Sequence, residues 1–317
     1  MQNKIKQLKE MLNHSSNVAI FTHMNCDGDA LGSAMAVREV LLSMNKTVSL
    51  FVQKPIHTNY NYLDIKGVVN KRNSKTFDLC ISVDCPNIKR FGKYGNLFKK
   101  YHSVCFDHHL LNENFAELNF IDEKASSTCE LLYEIFKNLN FNITSKIATY
   151  LYTGIATDTG RFSHNNTTEK SLRYASELAG LGADLKGINY NMFEKKSINE
   201  FSLFINSLSN IKFYSENKIA FVGITRKMLD EVGASEADTY RIVDFICGID
   251  TVEVAVLMTE LTERESMVSV RTKNVSAQEI CKSFGGGGHK HASGCRIFTD
   301  FESAKVKLIE RCEQEVR

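Results

Sequence analysis

The sequence predicts an α/β protein: a mostly parallel sheet with helices on both faces, followed by a smaller α/β domain. Strand-like and helix-like segments alternate through the first half, the pattern of a covered parallel sheet. A helical stretch without strand character, residues 185–209, interrupts that alternation, and a second set of strands and helices follows it. The chain has 317 residues, more than one average domain, so two domains are expected. The divisions read from the sequence are 1–185, a helical linker at 186–210, and 211–317.

Residues 17–22 (NVAIFT) form a short apolar run, the first strand. Residues 27–42 follow as a helix, with Ala30, Leu31, Ala34, Val37, Leu41 and Leu42 giving a helical stripe. Residues 47–52 read as a second strand, and 77–83 (FDLCISV) and 103–106 as further β-rich runs. Residues 127–139 and 144–157 read as helices. In the second half, 211–214, 218–224, 252–259 and 267–270 read as strands, interleaved with helices at 240–246, 277–284 and 301–316. Apart from one glycine run there is no low-complexity tract, and no repeat.

Composition narrows the function classes. Hydrophobic residues at 43% and charged residues at 24% make an ordinary globular mixture with material for cores. No apolar run approaches the roughly 20 residues that span a bilayer. The polar, helix-like start MQNKIKQLKEMLNHSSN lacks the marks of a signal peptide, so a cytoplasmic protein is expected. Its nine cysteines include no CxxC pair, and Cys80, Cys105 and Cys247 sit in apolar runs; reduced core residues are the expectation. Net charge is +2, and residues 211–317 carry 15 Lys+Arg against 17 Asp+Glu. A protein that tracks along nucleic acid usually shows a basic face. A small or short anionic substrate in a local pocket suits this balance better.

Four clusters of acids and histidines carry the chemistry. Thr22-His23-Met24-Asn25-Cys26-Asp27-Gly28-Asp29 follows the first strand, Asp84 follows FDLCISV, and Asp107-His108-His109 follows SVCF. Asp158-Thr159-Gly160-Arg161 follows the helical ITSKIATYLYTGIAT. Ligands of parallel sheets gather at the carboxyl ends of strands, where the first three clusters converge. Carboxylates brought so close repel one another unless cations neutralise them. Mixed Asp and His donors favour Mn²⁺, Fe²⁺, Co²⁺ or Zn²⁺, with ligands enough for a pair of ions.

Each cluster also has an ordinary reading. Asp27 suits a helix N-cap, Asp84 a turn before Cys85-Pro86, the two histidines a solvated loop, and Asp158 a helix exit. Four such accidents at one sheet edge are harder to accept than one site. Asp78 opens its strand at the other edge and keeps a structural reading. His14, His57 and His102 fit no cluster and read as surface or packing residues, while His164 stays open. The run Gly285-Gly286-Gly287-Gly288-His289, continuing to Gly294, lets backbone N–H groups approach an anion. It matches neither a Walker loop nor a dinucleotide fingerprint. A strand-like segment at 294–298 follows directly, against the longer, serine-rich habit of flexible linkers.

Taken in order, THMNCDGDALGS, VDCPN, FDHH, TDTGRF and GGGGHKHASG resemble the DHH phosphoesterase superfamily with its DHHA1-type substrate domain, over nearly the whole chain. In length the chain looks most like the short bacterial members, which degrade very short RNA (nanoRNA) and remove the 3′-phosphate from 3′-phosphoadenosine 5′-phosphate. The resemblance implies two Mn²⁺ ions. His23, Asp27 and Asp84 would hold one, and Asp29, Asp84, His108 and Asp158 the other, with Asp84 as the bridge. It implies that Asp107 orients a histidine and that His109 lies beside the scissile phosphate or supports the metal shell. Gly286, Gly287, Gly288 and His289 would cradle a phosphate and nucleoside end, and Arg271 would clamp a substrate phosphate. Many relatives carry proline after the DHH triplet, where this chain has Leu110; that change bears on loop rigidity, not on metal binding.

The expected reaction is in-line hydrolysis of a phosphoester by water activated between two metals, with the active site in the cleft between the domains. Short RNA or DNA oligonucleotides and nucleotide bisphosphates are the expected partners, with no membrane; a homodimer is left open. Within the superfamily the rivals are a phosphodiesterase for linear or cyclic dinucleotides and a single-strand DNA exonuclease. A metal-dependent nucleotide-binding regulator without turnover would show substituted ligands, and none is substituted. A structural scaffold gives no reason for so many acids at one edge.

Overall fold

The computed structural model describes residues 2–53 and 56–316, with Tyr240 by its backbone alone. The chain divides into two compact units, Met1–Lys195 and Lys196–Arg317.

The first unit runs α1 (Gln2–Asn13), β1 (Asn17–Phe21), α2 (Gly28–Ser43), β2 (Thr47–Phe51), β3 (Leu79–Val83), α3 (Gly95–Phe98), β4 (His102–Asp107), β5 (Leu118–Ile121), α4 (Thr128–Asn138), α5 (Ser145–Asp158), α6 (Glu169–Gly180) and α7 (Leu185–Asn189). Its five strands pair in the order β2-β1-β3-β4-β5, every pair parallel. Both faces are buried, which is why the strands read as continuous apolar runs. Along β1, Val18 and Ile20 enter the large core, while Ala19 and Phe21 enter a second, aromatic one. That aromatic core gathers Phe21, Phe51, Phe77, Phe91 and Phe98. The order reverses at β1, with β2 on one side and β3 on the other, and the carboxyl ends there open a crevice.

Helix α2 is buried along most of its length, so it is apolar all round rather than amphipathic. It packs against α5 with almost no side chains between. A Cβ added at Gly28 would overlap Thr157, one at Gly32 would meet the Tyr150 carbonyl, and one at Gly154 would overlap Asp29 and Cys129. The two helices therefore run antiparallel, and the last residue of α5, Asp158, lies by the first turn of α2. β5 and α6 lie outside the segments read from the sequence. At four residues β5 is too short to display a period, whereas α6 has a Thr168–Ser171 capping box and buries Ser171, Tyr174, Ala175 and Leu178 at helical spacing.

The second unit runs α8 (Ile198–Leu208), β6 (Lys212–Tyr214), β7 (Ile219–Ile224), α9 (Arg226–Val232), α10 (Tyr240–Cys247), β8 (Val254–Thr262), β9 (Glu265–Thr272), α11 (Ala277–Lys282), β10 (Gly287–His289), β11 (Ala292–Ile297) and α12 (Phe301–Val316). Its sheet has the order β10-β11-β9-β8-β7-β6. β7 and β8 are parallel; the other pairs are antiparallel. A core lies on each face. All nine cysteines are free thiols. Among the described residues, no helix is long and apolar enough to cross a membrane.

Candidate metal centre

The crevice beyond β1 and β3 receives side chains from five segments. After β1, the chain turns at Asn25, φ 58°, so that Asp27 caps α2. Its Oδ1 accepts from Asp29 N at 3.1 Å and Ala30 N at 3.0 Å. After β3, Asp84 adopts a left-handed backbone, φ 53°. For a non-glycine residue that costs on the order of 1–3 kcal/mol and persists only where its surroundings enforce it. Here β4 does so, since Asp84 N donates to Phe106 O at 2.9 Å. The kink aims the carboxylate into the middle of the crevice.

Asp84 is 2% exposed and meets three histidines there. Its Oδ2 lies 3.3 Å from His23 Nε2, and its Oδ1 lies 3.6 Å from His108 Nε2 and 3.7 Å from His109 Nδ1. Thr128 Oγ1 donates to Oδ1 at 3.1 Å. His23 Nε2 is also 3.9 Å from Asp27 Oδ1. His108 Nε2 is 3.2 Å from Asp158 Oδ2 and 4.0 Å from Asp29 Oδ2. Ligand atoms thus fall into three tight groups: His23, Asp27 and Asp84; Asp29, His108 and Asp158; and Asp84, His108 and His109. Asp84 and His108 each belong to two groups.

Supporting bonds orient the ligand atoms. His23 Nδ1 donates to Met24 O at 2.7 Å and His108 Nδ1 to Ala125 O at 3.3 Å, which turns both Nε2 atoms inward. His109 Nδ1 is 2.7 Å from Asp107 Oδ1, and Asn112 Nδ2 donates to Asp107 Oδ2 at 2.6 Å. Asp29 is fully buried. Its carboxylate accepts from Thr128 N at 2.7 Å and Cys129 N at 2.9 Å, the first N–H groups of α4, where the helix dipole favours an anion.

The carboxylates here are at odds electrostatically. Desolvation by the surrounding protein and the charges of Asp84 and Asp158 push the Asp27 carboxyl up to about 6. Its side chain keeps 53% exposure, so repulsion is the firmer of those causes. Burial, with Asp84 and Asp158 again, raises Asp29 well above the carboxylate range. Burial also pushes Asp84 upward, but the hydrogen bond from His23 and the charges of His108, His23 and His109 outweigh it and hold Asp84 low. Burial lowers His108, yet its bond to Asp158 and the charges of Asp29, Asp158 and Asp84 carry it to about 11. Among the described residues, no Lys or Arg forms an ion pair with Asp27, Asp29, Asp84 or Asp158. A crowded set of oxygen and imidazole donors without a Lys or Arg ion pair fits divalent transition metals.

Other residues singled out in the sequence lie elsewhere. Asp78 Oδ2 accepts from Ser16 N and Asn17 N, both at 2.8 Å, ahead of β1 at the far edge. His102 pairs with Glu117, His14 bonds the Glu10 carbonyl, and His57 caps a short turn. His164 bonds the Asp158 carbonyl at 3.2 Å rather than a ligand atom. In the second unit, Gly286 packs against Gly294 and Cys295, and Gly287, Gly288 and His289 form the edge strand β10. His289 pairs with Ala292 and Ala292 with Arg271, so all three lie in one row across three strands. Arg271 Nε donates to Asp244 Oδ1 at 2.7 Å. Three residues beside the first-unit cluster were not marked in the sequence: Arg90, Asn112 and Thr128. For Asn112 the one available signal was its place three residues after the histidine pair.

The model for the DHH family, N-terminal domain, matches residues 17–155, and the DHHA1 domain model matches 217–317. The bifunctional oligoribonuclease and PAP phosphatase NrnA of Thermus thermophilus is 28% identical, over 94% of this chain and 90% of its own length. The protein of the same name from Bacillus subtilis is 26% identical, over 91% and 92%. Among solved structures, an exopolyphosphatase-related protein from Bacteroides fragilis has a TM-score of 0.93 at 23% identity, covering 99% of this chain and 96% of that one. RecJ of Thermus thermophilus in complex with Mn²⁺ shares the fold at a TM-score of 0.55 and 14% identity, over 98% of this chain and 54% of its own. The chain belongs to the DHH phosphoesterase family, with an N-terminal DHH domain and a C-terminal DHHA1 domain.

Proposed function

We propose that this protein hydrolyses short RNA oligonucleotides to nucleoside monophosphates and removes the 3′-phosphate from 3′-phosphoadenosine 5′-phosphate, in the cytoplasm and with Mn²⁺. The observation that carries the reading is the reach of Asp84, one carboxylate within 3.7 Å of nitrogens on His23, His108 and His109. His23, Asp27 and Asp84 would hold one ion, and Asp29, Asp84, His108 and Asp158 the other. When bound, such ions supply positive charge to a phosphoryl group and acidify water.

The chain's own residues do the rest. Asp107, tied by Asn112, fixes the His109 ring by its Nδ1 atom. That leaves Nε2 to exchange a proton or hydrogen bond with the reacting phosphate. In the second unit, Arg271 and His289 share a row, and we assign them, with Gly286, Gly287 and Gly288, to the rest of the nucleotide. The small net charge, +2, favours short substrates over long strands.

Initial rates on a dinucleotide, a five-residue RNA, a long single strand and phosphoadenosine phosphate, all with Mn²⁺, test this. The two short RNAs and the bisphosphate should turn over faster than the long strand, and Asp84→Ala should abolish all four activities. Equal rates on the long strand would overturn the substrate reading, and full activity in Asp84→Ala the metal reading.

A further inference from the structure

We propose that Arg90 is a further catalytic residue of this site, its guanidinium binding a non-bridging oxygen of the scissile phosphate. The inference rests on the phosphoesterase reading above.

Arg90 lies in the turn Ile88–Tyr94 that follows β3, on the same crevice as Asp84. Its backbone is fixed on three sides. The neighbouring Phe91 is fully buried in the aromatic core. Arg90 O accepts from Met24 N at 2.7 Å, joining this turn to the loop that carries His23. Gln53 Nε2 donates to Phe91 O at 2.9 Å, tying in the segment after β2.

The side chain reaches the His23 ring from its Nδ1 side. Nη2 is 3.4 Å from His23 Nδ1. That nitrogen carries the proton given to Met24 O at 2.7 Å, so the guanidinium meets a donor there, not an acceptor. Among the described residues, no carboxylate forms an ion pair with Arg90. By contrast Arg38, Arg226, Arg271, Arg296 and Arg311 each reach a carboxylate at 2.7 Å or less. A half-buried guanidinium with open donors calls for an anion. Four carboxylates stand nearby, and two divalent ions would neutralise them. The incoming phosphodiester brings one more negative charge, and Arg90 supplies its counterpart. Its planar fork matches two phosphate oxygens at once, and charge on them is what such a donor stabilises in the transition state.

The test uses the full-length protein with Mn²⁺ and compares wild type, Arg90→Ala, Arg90→Lys and Asp84→Ala. Bound manganese is measured by elemental analysis, affinity for adenosine 5′-monophosphate by calorimetry, and kcat and KM on a dinucleotide. Arg90→Ala should keep its manganese, bind the monophosphate at least about 10-fold more weakly, and lose about 10²–10³ in kcat/KM. Arg90→Lys should recover part of the loss, and added guanidinium ion should partly rescue Arg90→Ala. If the alanine variant does not fold, Arg90→Gln keeps the polar stem and serves in its place. The inference is overturned if monophosphate affinity stays at the wild-type value, or if manganese is lost in step with activity, which would make Arg90 a support for His23. A wild type inactive on every phosphoester sinks the phosphoesterase reading itself. An active wild type with a dead Asp84→Ala and an unimpaired Arg90→Ala sinks only the role of Arg90.

Discussion

The Asp29 carboxylate occupies the space that a side chain on Gly154 would need, since an added Cβ would overlap Asp29 Oδ1. The same Cβ would strike Cys129 Sγ. Gly154 is therefore the gap through which α5 approaches α2 and α4 closely enough to bring Asp158 beside Asp29. Glycine inside a helix costs roughly 0.5–1 kcal/mol relative to alanine, a penalty the fold accepts to place these two acids. Gly154→Ala should lower stability by about 1–3 kcal/mol through overpacking and should weaken manganese binding. Gly180→Ala is the control, because a Cβ there meets nothing within 4 Å. Thermal melts and metal titrations of the two variants decide it; equal behaviour would show that the contact is easily relieved.

Metal binding should compete with protons. Burial and the charges of Asp84 and Asp158 push the Asp27 carboxyl up to about 6 and raise Asp29 well above the ordinary carboxylate range. These raised values mean that their contribution to stability is full below the unfolded carboxylate pKa, near 4, and is lost as pH rises through the folded value. His108, raised to about 11, keeps its proton at neutral pH and must give it up to become a ligand. Manganese thus replaces protons on all three groups. The gap in Tm between manganese-loaded and metal-stripped protein should widen as pH rises from 5 to 8, with net proton release on binding. A gap that stays constant over that range would contradict these charge assignments.

Asn112 should matter through Asp107. Asp107 is fully buried, and the Asn112 amide donates to its Oδ2 at 2.6 Å. Asn112→Leu leaves that oxygen one donor short, a loss of about 1–3 kcal/mol. Asn112→Asp should be worse, since it faces one buried carboxylate with another. Both should depress kcat on a dinucleotide more than they raise KM, because His109 loses its fixed orientation. Wild-type kcat in the aspartate variant would detach Asn112 from the site.

The sheet was legible because its strands are buried on both faces. Runs such as FDLCISV and NVAIF cannot be mistaken for solvated loops, and the carboxyl-end rule then places His23, Asp84 and the 107–109 triplet together. Asp27 posed a choice between helix cap and cluster member. The structure gives it both positions at once, because the Oδ1 atom that caps α2 also lies 3.9 Å from His23 Nε2. Arg90 and Thr128 left no such signal. Arg90 is set by contacts with loops more than sixty residues earlier in the chain, and Thr128 follows a four-residue strand without periodicity. The glycine run was readable as backbone freedom. Its membership of an edge strand depends on pairing with β11, which composition does not encode.

The row formed by Arg271, Ala292 and His289 carries the last expectation. In a sheet, residues directly paired across strands project to the same face, and the neighbouring strands lie about 4.8 Å apart. Arg271 and His289 are therefore separated by two strand spacings, with only the methyl group of Ala292 between them. That gap suits a phosphate or a sugar edge held from both sides. Arg271 already meets Asp244, so an incoming phosphate must compete with that carboxylate. Asp244→Asn should release the guanidinium and lower KM for a dinucleotide, whereas Arg271→Ala should raise KM by about tenfold. Ala292→Glu should raise KM further by placing a negative charge in the row. Manganese content should not change in any of the three, since all lie outside the first unit. If Ala292→Glu and Arg271→Ala leave KM at its wild-type value, this row does not bind the substrate, and the assignment of Arg271 and His289 to the nucleotide falls with it.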